Sequence, residues 1–130
     1  MIEFHLDSRS GVPAYLQLVQ QVRQAIRLGR LRPGDQLPTV KEVVTSLTIN
    51  PNTVLRAYGQ LDLEGLVDGR QGVGTFVSTN GASLPPDEVK GLRSSLDRWI
   101  TRARAAGLDD ESMSALFADA VRPGARSRVA

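Results

Sequence analysis

"TINPNTVLRAYGQLDLEGL", residues 48–66, decides how the rest of the chain is read. Asn50 is a residue type that caps helix N-termini, and Pro51 suits the first helical position, where the backbone N–H has no partner in any case. Val54, Tyr58 and Leu61 then recur at helical spacing, with Ala57 beside them. At about 100° per residue, Asn52, Arg56 and Gly59 fall on the opposite side, flanked by Thr53 and Gln60. The spacing predicts a helix from Pro51 to about Glu64, ended by Gly65. One face is apolar; the other is polar and starts from a stiff end.

The neighbouring segments give that helix a context. Upstream, "LPTVKEVVTSL" (37–47) contains Thr39 and Glu42 at capping-box spacing, followed by an apolar stripe of Val40, Val43, Val44 and Leu47. Lys41 points away from the stripe. Before it, Tyr15, Leu18, Val19, Val22 and Ile26 mark one face of a longer helix, with Pro13 in its first turn and Gly29 at its end. "RPGDQLP" (32–38) reads as a turn, and Ile2, Phe4 and Leu6 alternate as in a short extended segment. Downstream, "LVDGRQGVGTFV" (66–77) reads as a hairpin with a glycine-rich tip.

A second region follows the Gly/Ser/Pro-rich "STNGASLPP" (78–86). Val89, Leu92, Leu96, Trp99, Ala103 and Ala106 alternate spacings of three and four, a short heptad seam. Asp109 caps a last helix whose apolar face is Met113, Leu116, Phe117, Ala120 and Val121, and Pro123 ends it. The expected class is mainly α with a small β-hairpin: a winged helix-turn-helix followed by a C-terminal α-helical hairpin. The expected boundaries are 1–78 for the winged domain, 79–85 for a linker, 86–122 for a helical dimerisation region and 123–130 for a flexible tail.

Composition narrows the function classes. The 130 residues are 41% hydrophobic and 23% charged, an ordinary globular mixture. The chain has no cysteine, which excludes disulfides, thiol redox chemistry and thiolate metal sites. No apolar run approaches the roughly 20 residues of a membrane span, and "MIEFHLDSRS" (1–10) has no apolar core of a signal peptide, so a cytoplasmic protein is expected. The net charge is only +2, with a pI near 9.5, which permits nucleic-acid binding without arguing for it. Position has to make that case. A recognition helix presents its N-terminal turn to DNA, so that end must be stiff and its outer face polar. Asn50 and Pro51 supply the stiffness, and Asn52 with Arg56 supplies a reading surface.

The stretch from "PAYLQL" (13–18) through "GRLRPGDQLPTVKE" (29–42), "INPNTVLRAY" (49–58) and "LEGLV" (63–67) to "GVGTFV" (72–77) resembles the DNA-binding domain of GntR-family transcription regulators. The short two-helix C-terminal part resembles the YtrA-type subfamily. The resemblance implies a non-enzymatic, homodimeric regulator, expected to be a repressor, bound to double-stranded operator DNA. It carries DNA contact over to Lys41, Asn52, Thr53 and Arg56, and to the wing residues Arg70 and Gly72. Asn52 would pair with adenine or a phosphate and Arg56 with guanine. Arg70 would reach the minor groove or backbone.

Four positions depart from the family pattern. Thr39 and Lys41 stand where serine and arginine are frequent, and lysine keeps the charge but loses the bidentate fork. Leu55 occupies the place where many relatives have an arginine. Gly59 replaces a usually larger residue, at about 1 kcal/mol relative to alanine. Either the helix backbone approaches DNA closely there, or the glycine is simply tolerated.

Blander readings stand beside these. Asn50 and Pro51 cap a helix whether or not DNA binds, an exposed arginine such as Arg56 is commonly just solvated, and Lys41 can be plain surface charge. "GRQGVG" (69–74) is followed by a strand, not a helix, which argues against a nucleotide loop. Asp109, Asp110 and Glu111 suit the helix dipole better than a cation site. Trp99 either lines an effector pocket or, as its seam position favours, belongs to core or dimer packing, and Val89, Leu92, Leu96, Ala103, Leu116 and Phe117 are the dimerisation residues expected with it. No metal or cofactor is expected, and a small-molecule effector is left open. The competing class is a winged helix that binds only protein, which would need an apolar patch on the third helix. An enzyme is disfavoured because no catalytic constellation is visible.

Overall fold

The computed structural model describes residues 2–79 and 85–123. Residues 80–84 of the expected linker and 124–130 of the expected tail lie outside the described residues. In chain order the elements are α1 (Ala14–Arg27), α2 (Val40–Leu47), α3 (Pro51–Leu63), β1 (Val67–Arg70), β2 (Gly74–Val77), α4 (Pro86–Ala105) and α5 (Asp110–Val121). They fall into two compact units, Met1–Pro86 and Asp87–Ala130.

The first unit is built on the apolar stripes of its three helices. Leu18, Val19 and Val22 of α1, Val43 of α2, and Val54, Ala57, Tyr58 and Leu61 of α3 are all buried in one cluster with Leu31, Leu37, Val67 and Val77. Each fully buried leucine or valine side chain stabilises the unit by about 1.5–3 kcal/mol relative to exposure. The local signals place the ends. Pro13 sits just outside α1 as its N-cap residue, one position earlier than a first-turn proline, where a missing N–H still costs nothing. Gly29 follows the last turn with φ 74°.

The N-terminal segment is extended but forms no strand. Phe4 is buried against the core, and two glutamines of α1 hold the backbone around it. The Gln21 side chain accepts from the His5 N–H at 3.0 Å and donates to the His5 carbonyl at 2.6 Å. One turn earlier, Gln17 accepts from the Asp7 N–H at 2.8 Å and donates to the Asp7 carbonyl at 2.9 Å. Glutamines four residues apart on one helix face thus act as the pairing edge that a sheet would otherwise supply.

β1 and β2 pair antiparallel, with Val67 opposite Val77 and Arg70 opposite Gly74. The strands reach into the stretch expected to form the glycine-rich tip, leaving only Gln71, Gly72 and Val73 between them. The reason lies in the segment read as a plain turn. Asp35, Gln36 and Leu37 lie along β2: the Leu37 N–H donates to the Thr75 carbonyl at 2.8 Å, and the Val77 N–H donates to the Asp35 carbonyl at 2.7 Å. Gln36 and Phe76 form an isolated antiparallel bridge. The hairpin is therefore anchored to the loop between α1 and α2.

The second unit is a pair of helices. Asp109 caps α5 by accepting from the Ser112 N–H at 2.8 Å, which holds its carboxyl below the usual carboxylate range. Gly107, at φ 98°, turns the chain. The heptad seam stops at Ala105, so Ala106 is an exposed turn residue rather than its last member. Ala103 of α4 and Met113 of α5 are the second unit's buried residues among those described. Val89, Trp99 and Ile100 are half-buried, whereas Leu92, Leu96, Leu116, Phe117 and Val121 are exposed. No helix among the described residues is long and apolar enough to cross a membrane.

Candidate nucleic-acid interface

The interface starts with how α2 and α3 are fixed to each other. α2 opens on a reciprocal capping box: Thr39 Oγ1 accepts from the Glu42 N–H, and Glu42 Oε1 accepts from the Thr39 N–H, both at 3.1 Å. It closes on Thr48, whose φ of 54° is left-handed. A β-branched residue rarely adopts that conformation, and nothing in the sequence flags it because the usual glycine is missing. Asn50 then caps α3 by accepting from the Asn52 N–H at 2.8 Å, with Pro51 next. Farther along α3, the buried Tyr58 hydroxyl donates to the Pro38 carbonyl at 2.6 Å. Burial, with the Glu42 charge nearby, pushes the Tyr58 hydroxyl well above the usual phenol range, so it remains a donor. At the other end, the carboxylate of Glu64 accepts from Arg23 of α1 at 2.7 Å and from Gln60 at 2.9 Å; these bonds hold it below the usual carboxylate range.

These contacts leave one side of α3 facing solvent. Asn52, Arg56 and Gly59 are exposed, and Thr53 and Gln60 are half-buried. Leu55 shares the exposed side and is 54% accessible. Arg56 is not a loose side chain. Its guanidinium carbon lies 3.8 Å from the ring centroid of Tyr15, at the start of α1. Stacking occupies the face of the guanidinium and leaves its in-plane N–H donors free, and they have no protein partner among the described residues. The pairing spans 41 positions of sequence, and no local pattern could have announced it.

The wing shows the same arrangement. Arg70 stacks on Phe76, 4.3 Å from the ring centroid, at the base of the tip formed by Gln71, Gly72 and Val73. Gly72 sits at φ 77°, so its first role is to turn the hairpin. Gly74 is constrained more tightly: at φ 143°, a Cβ there would lie 2.6 Å from the Gln36 side-chain nitrogen. A shallow depression lined by Thr39, Arg70, Gly72, Val73 and Thr75 joins the tip to the start of α2. Lys41 is exposed in the first turn of α2. The candidate residues thus occupy three places: the open side of α3, the start of α2, and the hairpin tip. Tyr15, Leu55 and Gln36 are the neighbours that periodicity alone did not assign to the surface.

Comparison with known proteins agrees with this geometry. Residues 14–77 match the model of the bacterial regulatory proteins of the gntR family. The HTH-type transcriptional repressor YtrA of Bacillus subtilis (strain 168) is 36% identical over 109 residues, covering 83% of this chain and 84% of that protein. Among solved structures, a transcriptional antiterminator from Listeria monocytogenes EGD-e superposes with a TM-score of 0.61 at 25% identity, over 93% of this chain and 91% of that one. The DNA-binding domain of AraR in complex with operator ORX1 superposes with a TM-score of 0.52 at 28% identity, over 59% of this chain and 96% of that one. The chain is accordingly a member of the GntR family, a DNA-binding transcription regulator with a winged helix-turn-helix and a short two-helix C-terminal part.

Proposed function

We propose that the protein is a homodimeric repressor that binds an inverted-repeat operator, inserting the start of α3 in the major groove and laying the wing along the flanking backbone. The observation that carries this reading is Arg56: its guanidinium is oriented by Tyr15 while its N–H edge meets no protein acceptor among the described residues. That is the state of a side chain prepared for an external acceptor, such as guanine O6 and N7. Asn52, one turn earlier, suits adenine or a phosphate. Lys41, Thr53 and Arg70 suit phosphates, which set register rather than sequence choice.

The second unit supports the dimer reading. Among the described residues, Leu92, Leu96, Leu116 and Phe117 leave exposed apolar surface on its two helices. A second copy covers it with the same residues, and two-fold symmetry sets the recognition helices about 34 Å apart. The repressor sense is supported by the likeness to YtrA of Bacillus subtilis, named as a repressor.

The test is a footprint on the DNA upstream of the protein's own gene, followed by binding to the protected duplex across a salt series. Two protected half-sites in inverted orientation, with log K falling steeply as log salt rises, are the expected result. A single protected site, or binding insensitive to salt, overturns the reading.

A further inference from the structure

We infer that Leu55 reads a thymine: its side chain receives the C5-methyl group of that base in the major groove, beside the base contacted by Asn52. The inference rests on the proposed insertion of α3 and adds to it the chemistry of one base. Three observations converge on it. First, Leu55 is 54% exposed on the side of α3 that carries Asn52 and Arg56, in the second turn, where a groove-entering helix meets base edges. Second, Gly59 stands one turn farther along the same side, at about 40° from Leu55 around the helix. The fold does not require glycine there. Its φ is not left-handed, and an added Cβ would meet nothing within 4 Å. A glycine that weakens the helix and relieves no contact inside the protein leaves room next to Leu55 for something outside it.

Third, the flanking polar groups define what that something can be. Arg56 is drawn toward Tyr15, so the open space over Leu55 and Gly59 is not filled by its guanidinium. An apolar side chain cannot satisfy the carbonyl and ring nitrogen of guanine or the amino groups of adenine and cytosine. The one apolar group that a base pair presents in the major groove is the thymine methyl. Leucine at this position therefore selects a base by its methyl group rather than abolishing readout there.

The experiment uses the full chain and a duplex enriched by it from a random-sequence pool. Each thymine of the enriched duplex is replaced in turn by deoxyuridine, which deletes the methyl group and keeps every hydrogen-bonding atom. Wild-type protein is expected to lose about fourfold in affinity per half-site at one thymine position and to be indifferent at the others. Leu55→Ala, at an exposed site with no expected cost to folding, should bind thymine and deoxyuridine duplexes equally at that position. If the pool enriches a duplex but no deoxyuridine weakens binding, or if Leu55→Ala keeps the full methyl dependence, the inference about Leu55 falls and the regulator reading stands. If the pool enriches nothing while the protein is folded, both fall.

Discussion

Leu61 in α3 is completely shielded from solvent, whereas Phe117 in α5 is 57% exposed, although both lie on the apolar stripe of a capped helix. The difference is one of available partners. In the first unit three helices, a hairpin and an extended segment close over a shared cluster, and even the backbone of the extended segment is held by Gln17 and Gln21. In the second, among the described residues, the two helices bury only Ala103 and Met113. A two-helix unit has one apolar seam per helix and no third layer to finish the enclosure. The first unit thus has its own hydrophobic core, while the second has an apolar face that a partner can complete.

The largest effect expected from this contrast is in the first unit. Leu61→Ala removes a fully buried side chain from a closed cluster and should destabilise that unit by about 2–5 kcal/mol. Chemical denaturation followed by tyrosine fluorescence or circular dichroism measures it; a loss below 1 kcal/mol would mean the core is looser than its burial indicates. In the second unit, the double substitution Leu92→Asn with Phe117→Asn should leave the melting of the first unit unchanged and convert dimer to monomer in sedimentation. Operator affinity should fall by about tenfold or more once the two half-sites are no longer linked. A dimer that survives would place its interface elsewhere.

The contrast also explains what could be read from the chain. Capping residues and periodic stripes are local, so Asn50, Pro51, the Thr39/Glu42 box and the core positions of α1 to α3 were legible directly. The stacking of Arg56 on Tyr15, the bridge from Gln36 to the wing, and the glutamine clamps on residues 5 and 7 depend on residues 10 to 41 positions apart. No propensity encodes them. The heptad spacing of α4 was legible too, but a seam in sequence says only that something covers it, and among the described residues Leu92 and Leu96 stay exposed. The same limit applies to Leu55. Its identity was visible; its exposure beside a glycine that the fold does not need was not.

A smaller effect tests how the first unit holds its recognition helix. Tyr58→Phe removes the hydroxyl that ties α3 to the Pro38 carbonyl and leaves that buried carbonyl without its donor. A cost of about 1 kcal/mol is expected, with operator affinity reduced only modestly because the packing of the ring remains. If affinity instead collapses while stability barely moves, the hydroxyl sets the angle of α3 rather than anchoring it.

The smallest expected change has the opposite sign. Thr48 joins α2 to α3 in a left-handed conformation that costs a residue with a Cβ about 1–2 kcal/mol. Glycine adopts it freely but gives up about 0.5–1 kcal/mol more chain entropy on folding. The Thr48 N–H donates to the Val44 carbonyl at 2.9 Å, a backbone bond that glycine keeps. Thr48→Gly should therefore stabilise the first unit by up to about 1 kcal/mol, a rise of several degrees in melting temperature. The second unit should be unaffected. Operator affinity should stay within about twofold, since Asn50 and Pro51 set the start of α3 independently of the turn. A destabilised variant would show that the threonine side chain contributes more to the turn than its strain removes. A stabilised variant with weak binding would show that the strained turn holds α3 at the angle the operator requires, so that the closed core of the first unit sustains a local cost which the sparsely packed second unit could not.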